Sequence, residues 1–412
     1  MRAAVPLLAV LTFVPCAAWA QGGNPLGPEF RVNTYTTSDQ GRPSVAADSA
    51  GNFVVAWDSG SYPRNVFAQR YAASGVPLGT EFRVNDFTLG VHSYPSVAAQ
   101  AAGDFVVIWQ YAPLEPDGLR GQRFASSGVP LGSSFVVGAT SYSYDPDTAF
   151  DSAGNFVVVW AANVFDGSAD NVFARRFASS GAPLGPGFRV NTYTSGVQRQ
   201  PAVAVDPSGN FVVVWGSYPQ DGSGFGVSGQ RFASSGVPLG SEFSASTYIT
   251  GGQPNPSVAV DPSGNSVVVW GGPDGPVPAF FGVFGQRYAN SGAPLGPAFR
   301  VNTATTLDQE YPDVAVDASG NFIVVWRSFL QDQSAFGTYG QRYESSGVPL
   351  GAEFRVNTYT TNNQWNPSVA ADASGDFVVV WESGLQDGSG LGVFGQRYRP
   401  IVPVELMQFR LE

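Results

Sequence analysis

Hydrophobic and polar residues alternate along this chain in short runs that recur at a long, nearly fixed interval. A valine-rich stretch ends in tryptophan seven times, at Trp57, Trp109, Trp160, Trp215, Trp270, Trp326 and Trp381, with 51 to 56 residues between successive copies. Four runs fill each interval. In the first copy, run A is Pro43–Asp48, run B Phe53–Trp57, run C Asn65–Tyr71 and run D Glu81–Asn85. Val, Phe, Tyr and Trp dominate them, as strands prefer. Ser-Ala-Gly-Asn and Ser-Gly-Val-Pro-Leu-Gly segments between the runs supply turn chemistry. No helical period is sustained after the amino terminus.

The spacing separates rigid connections from elastic ones. From the run-A proline to the tryptophan the distance is 14 residues in every copy, and from the aromatic of Gln-Arg-Tyr/Phe to the next run-D Phe it is 11. The B-to-C and D-to-A connections vary. Four short antiparallel strands per repeat make a propeller blade. The ends of the chain complete the pattern. Pro25–Asn33 is a D run with nothing before it, and the last copy stops after run C at Tyr398. Seven whole blades result when the first D strand joins the last A, B and C strands, which also removes the open sheet edges. The fold expected is an all-β, seven-bladed propeller of four-stranded antiparallel blades over residues 21–400.

Composition adds a compartment. Met1-Arg2, an apolar Ala3–Val14 and an Ala18-Trp19-Ala20 site read as a cleavable secretory leader, residues 1–20, cut after Ala20. Cys16, the sole cysteine, lies inside it, so disulfides, thiolate metal sites and thiol nucleophiles are excluded from the remainder. The protein is expected to be secreted or periplasmic, monomeric and without a membrane span. It has no lysine, and its net charge of −11 disfavours nucleic acid as a partner. Residues 401–412 form a short tail.

Residues repeated in every blade are assigned to the blade. This covers the arginines Arg70, Arg123, Arg176, Arg231, Arg287, Arg342 and Arg397, and the turn aspartates Asp48, Asp151, Asp206, Asp261, Asp317 and Asp372. Function is sought where the repeat breaks, on the face formed by the B–C and D–A loops. Immediately before each run-A proline stand Arg42, Tyr94, Asp145, Gln200, Asn255, Tyr311 and Asn366, and Trp365 is the one tryptophan after residue 20 that lies outside the repeat register. These eight are the candidate ligand-binding residues, with Tyr142, Tyr144, Tyr218, Phe225, Phe280, Phe281 and Phe336 as further aromatic surface. The partner expected at this channel mouth is a protein or a glycan, bound without catalysis. A lectin-like propeller and a carboxylate-based glycosidase or lyase are the alternatives.

Chemistry has few candidates. His92 is the sole histidine and has no nucleophile elbow beside it. Asp145, Asp147, Asp308, Glu310 and Asp313 break the repeat, but paired acids need about 5–9.5 Å of separation, and blades three apart are expected to hold them farther away. No cofactor is expected. Ca²⁺ is the lesser reading of the B–C loops, which contain Asp166-Gly167-Ser168, Gln220-Asp221-Gly222-Ser223, Asp274-Gly275, Gln331-Asp332 and Gln386-Asp387-Gly388-Ser389. Tight-turn chemistry is the favoured one.

The unit Gly-Asn-Phe-Val-Val-Val-Trp … Gln-Asp-Gly-Ser … Gly-Gln-Arg-Tyr … Glu-Phe-Arg-Val-Asn-Thr-Tyr-Thr-Thr resembles repeats of bacterial secreted and surface proteins over about residues 25–398. In some of those the repeats accompany RTX-type or adhesin-like segments. The resemblance implies no activity, and no RTX nonapeptide occurs here.

Overall fold

The computed structural model describes residues 23–112, 118–138, 142–163, 169–219, 224, 226–246, 255–273 and 280–400. The expected leader and the tail from 401 lie outside them. Among the described residues there are 28 strands and no helix, arranged as seven antiparallel four-stranded sheets in a seven-bladed propeller. In blade 1 the strands are A Gln40–Ala47, B Phe53–Ser59, C Asn65–Tyr71 and D Phe82–Arg83. Blade 7 takes its D strand, Phe30–Arg31, from the other end of the chain. Phe30 pairs with Gly395 and Arg31 with Phe394, so the ring is closed as the pattern of runs predicts.

Each wedge between blades is filled by a repeated aromatic group. Phe53 of strand B stacks on Tyr71 of strand C with centroids 4.7 Å apart, and Phe30, from the D strand of the preceding blade, tilts onto Tyr71 at 5.4 Å. The same triad recurs as Phe82–Phe105–Phe124, Phe135–Phe156–Phe177 and Phe188–Phe211–Phe232. Glycine is needed opposite it. The Phe30 ring lies where a Cβ on Gly395 would sit, 2.8 Å away. Trp57, Trp109, Trp215, Trp326 and Trp381 are fully buried beside the valines of strand B. Burial of rings at about 150–250 Å² each supplies much of the hydrophobic stabilisation.

The repeated arginines hold blade to blade and the repeated aspartates pin their own hairpins. Arg123 Nη1 donates to the Ser180 carbonyl at 2.5 Å and Arg231 Nη1 to the Ser291 carbonyl at 2.6 Å, each on the C–D turn of the next blade. Asp48 Oδ1 accepts from the N–H groups of Ala50 and Asn52, and Oδ2 from Asn52 Nδ2 at 2.8 Å, pinning its own hairpin. The remaining turn aspartates accept their hairpin N–H groups at Oδ1 in the same way.

Strand B runs on past the tryptophan to Ser59, strand D shortens to Phe82–Arg83, and strand A starts earlier than the sequence reading. Run A was expected to begin at the proline, whereas strand A begins at Gln40 in blade 1 and Val91 in blade 2. A bulge hides the early start. Gly41 pairs with Asp58 and Ser44 with Ala56, leaving Arg42 and Pro43 opposite Trp57 alone. Proline, lacking an N–H, is tolerated at such a bulge.

Replacing Phe30 by alanine removes one ring of the closing wedge. It should cost about 3 kcal/mol in urea unfolding, the low end of the range for a ring, because Phe30 is only partly buried. Limited proteolysis should then cut first between Asn33 and Ser38.

Candidate functional site

Strand A of every blade packs on strand A of both neighbours, so these seven strands surround the axis. All seven residues before the run-A proline adopt left-handed backbone: Arg42, Tyr94, Asp145, Gln200, Asn255, Tyr311 and Asn366, with φ from 46° to 56°. For a non-glycine residue this conformation costs about 1–2 kcal/mol. It persists at every blade because the bulge and the following proline impose it. The side chain is thereby turned out of the in-and-out alternation of the strand.

Neighbouring members of this ring touch. The Arg42 guanidinium carbon stands 4.0 Å above the Tyr94 ring, and Gln200 Nε2 donates to Asn255 Oδ1 at 2.5 Å. Asp145 accepts from the Gln200 N–H. Asn366 Nδ2 donates to Glu382 Oε1 at 2.9 Å, the oxygen that also receives the Arg42 N–H. Trp365 pairs across the sheet with Glu382, and its Nε1 is buried without a partner. Tyr311, 37% exposed, lies under the Arg327 guanidinium at 3.9 Å. Of the further aromatics, Phe336 lies on the other side of Arg327 at 4.6 Å; Tyr142, Tyr218 and Phe280 are exposed; Phe225 lies outside the described residues.

Four site residues escaped the sequence reading: Asp58, Arg64, Arg327 and Glu382. Asp58 is almost fully buried, and it accepts from Arg42 Nη1 at 3.0 Å, Arg64 Nη1 at 3.2 Å and the Tyr94 N–H at 3.1 Å. Burial raises its pKa against the opposing pull of the two arginines. Burial likewise raises Glu382, partly offset by the Arg42 N–H and Asn366. Arg327 pairs with Glu310 at 2.7 Å. Three of the four follow a tryptophan directly, at a position occupied by Asp58, Gln110, Ala161, Gly216, Gly271, Arg327 and Glu382. That variability was the available signal.

The structure places two proposed acids elsewhere. Asp147 and Asp313 belong to a belt of hydrogen bonds running round the channel wall. Ser368 Oγ accepts from the Val45 N–H, Ser44 Oγ from the Val97 N–H, Asp147 Oδ2 from the Val203 N–H and Asp313 Oδ2 from the Val369 N–H. Ser96 and Ser257 donate to the other carboxylate oxygens at 3.0 and 2.8 Å. Both acids are partly buried in the channel wall. Burial pushes Asp147 up to about 6 and also raises Asp313, whose charge contributes to the shift of Asp147 across the channel. Asp145 likewise rises to about 6 through burial.

His92 is a structural residue. It is fully buried, its Nδ1 accepts from Trp109 Nε1 at 2.9 Å, and its Nε2 faces the Leu89 carbonyl at 3.2 Å. Glutamine does this work in other blades: Trp57 bonds Gln40, Trp215 bonds Gln198 and Trp326 bonds Gln309. Burial lowers the His92 pKa from 6.5 to about 4.

No protein-family profile matches this chain, and no curated protein matches it. Its fold is similar to solved structures. An ulvan lyase bound to a GlcA(1-4)Rha3S saccharide superposes with TM-score 0.57 at 8% identity, covering 89% of this chain and 95% of that one. A protein of unknown function from Dyadobacter fermentans gives 0.53 at 10% identity, covering 92% and 100%. A fungal alcohol oxidase in complex with copper gives 0.55 at 11% identity, covering 92% and 76%. At these identities the likeness is one of fold.

The shifted groups set opposing pH dependences. His92, depressed to about 4, contributes stability that is present above 6.5 and lost as pH falls toward 4. Asp147, raised from 3.8 to about 6, contributes stability that is present below 3.8 and lost as pH rises through 6. His92→Gln should therefore gain melting temperature over the parent progressively from pH 7 to pH 4. Asp147→Ser, which copies blades 1, 2, 5 and 7, should gain most above pH 6. Melting curves from pH 4 to 8 check both.

Proposed function

We propose that this protein is a secreted binding propeller whose B–C/D–A face takes a saccharide. The observation that carries the reading is the arc across blades 6, 7, 1 and 2. It presents Tyr311, Trp365 and Tyr94 as partly exposed rings beside Asn366, Arg42 and Arg327. Rings of this kind stack on the C–H faces of a sugar, while amides and guanidinium groups bond its hydroxyls. Asp58 is committed to two arginines and an N–H, which favours binding over chemistry at that residue.

Glu382 supports a second reading. Its pKa is raised, it stands within the field of Asp58, and it pairs across the sheet with Trp365. That combination would suit an acid in glycoside cleavage or elimination.

Glycan-array screening followed by calorimetry tests both. Trp365→Ala should weaken the best saccharide by about thirtyfold, equivalent to about 2 kcal/mol. Unchanged affinity would defeat the saccharide reading. Release of new chain ends from a polysaccharide, abolished by Glu382→Gln with binding retained, would replace it by catalysis.

A further inference from the structure

Three B–C loops repeat the string Trp-x-Ser-x-x-Gln-Asp-x-Ser, at 215–223, 326–334 and 381–389. In blade 7 the loop is closed by backbone bonds from the Leu385 N–H to the Gly390 carbonyl at 2.7 Å and from the Gly388 N–H to the Leu385 carbonyl at 3.1 Å. Asp387 Oδ1 accepts from the Ser389 N–H at 3.2 Å, which is the tight-turn role expected of it. Its other oxygen is not accounted for by the turn. Asp387 Oδ2 is buried, has no donor, and lies 2.8 Å from where a Cβ on Gly392 would sit.

Gly392 is the cross-strand partner of Ser383. Directly opposed residues project from one face with Cβ atoms about 4.5–5.5 Å apart, so the Ser383 hydroxyl shares the space beside Gly392 with Asp387 Oδ2. Ser383 is fully buried and its Oγ also lacks a partner. Gln386 adds a third oxygen. Its Nε2 donates to Glu29, which orients the amide, and its Oε1 is buried and unpartnered. Blade 6 shows where that oxygen reaches. There Gln331 Nε2 donates to Glu353 at 2.6 Å, and Oε1 accepts from Ser328 Oγ at 2.7 Å. The corresponding pair in blade 7 is not bonded. A buried carboxylate oxygen without a donor is costly, and neither the Ser383 hydroxyl nor the Gln386 amide is bonded to it.

We infer that the B–C loop of blade 7 binds a hard divalent cation of the Ca²⁺ type between Asp387 Oδ2, Gln386 Oε1 and Ser383 Oγ. The donor set is all oxygen, and the second carboxylate, Glu29, stands one hydrogen bond away. Neutral amide and hydroxyl ligands on a loop favour Ca²⁺ over Mg²⁺, which demands a rigid octahedron. Among the described residues no group of three or more His, Cys, Asp or Glu side chains is gathered to hold a metal. The low ligand charge puts the affinity in the range of extracellular modules, about 10⁻⁴–10⁻³ M. Blade 6 is one ligand short: Asp332 Oδ2 is also without a donor, but Ser328 and Gln331 satisfy each other. The blade 7 loop also joins blade 1, since the Leu391 N–H donates to Asp39 Oδ1 at 3.1 Å. A cation there would stiffen the proposed saccharide face across the ring seam.

The full chain stripped with EDTA should gain on the order of 5 °C in melting temperature at a Ca²⁺ concentration about 100 times Kd, and MgCl₂ at the same concentration should not reproduce the gain. Asp387→Asn should abolish the response while Asp332→Asn keeps it. If Asp387→Asn does not fold, calorimetry on Ser383→Ala decides, with about tenfold weaker Ca²⁺ binding expected from the loss of one of the three oxygens. No melting shift, a shift that survives Asp387→Asn, an equal response to Mg²⁺, or unchanged affinity in Ser383→Ala would overturn the assignment.

Discussion

The thickness of the aromatic wedge between blades is the constraint on which the rest of the ring depends. One phenylalanine from strand D of a blade leans on the stacked pair of the next, as Phe299 does on Phe322 and Tyr343, and Phe354 on Tyr398, which stacks on Phe377. Aromatic packing at these separations tolerates little change in volume. Six of the seven wedges carry all three rings, and the one between blades 7 and 1 takes its third ring from the first D strand, where Phe30 lies on Phe53 and Tyr71. Blade 5 departs from the pattern, with Ser266 in place of the strand-B phenylalanine, and there Phe243 and Tyr288 make the contact alone at 5.2 Å.

Closure has a local cost at the seam. Where the chain enters and leaves, blade 7 has no continuous C–D turn, so the repeated arginine of blade 6 loses the carbonyl that its counterparts grip. Arg342 instead lies over the Phe377 ring at 4.4 Å, with its guanidinium nitrogens buried and unpartnered. Burial lowers its pKa to about 10. A cation resting on an aromatic face recovers part of the lost interaction. The residue is kept in register by the repeat, although its original partner is missing.

The architecture was legible because it is repetitive. Fixed spacings, the split terminal blade and the alternation of strands each constrain the same ring. The site was only partly legible. Arg42 and its six counterparts stood out because they vary beside an invariant proline, but sequence alone did not show that each is a left-handed bulge residue within strand A. Asp58 and Glu382 were missed for a related reason: they extend strand B beyond the tryptophan taken as its end. Asp147 and Asp313 were read as mouth residues because serine and alanine stand elsewhere at that position. Their role is that of the serine hydroxyl, namely accepting an N–H from the next blade, and this becomes visible only when the blades are placed side by side.

The different fates of the carboxylates follow from which groups face them. Asp48 and its repeats face their own hairpin N–H groups, which their Oδ1 atoms accept. Asp147 and Asp313 face a neighbouring strand and a serine, so they stitch the channel wall and resist ionisation. Asp58 faces two guanidinium groups, which hold its charge in a nearly dry setting and fix Arg42 over Tyr94. Glu382 is different, because Oε1 alone receives the Arg42 N–H and Asn366, with no cation bonded to it. A buried acid served in this way keeps a raised pKa. The variable mouth is thus held by the same hydrogen-bonding rules as the repeated belt, and differs from it in which side chains supply the partners.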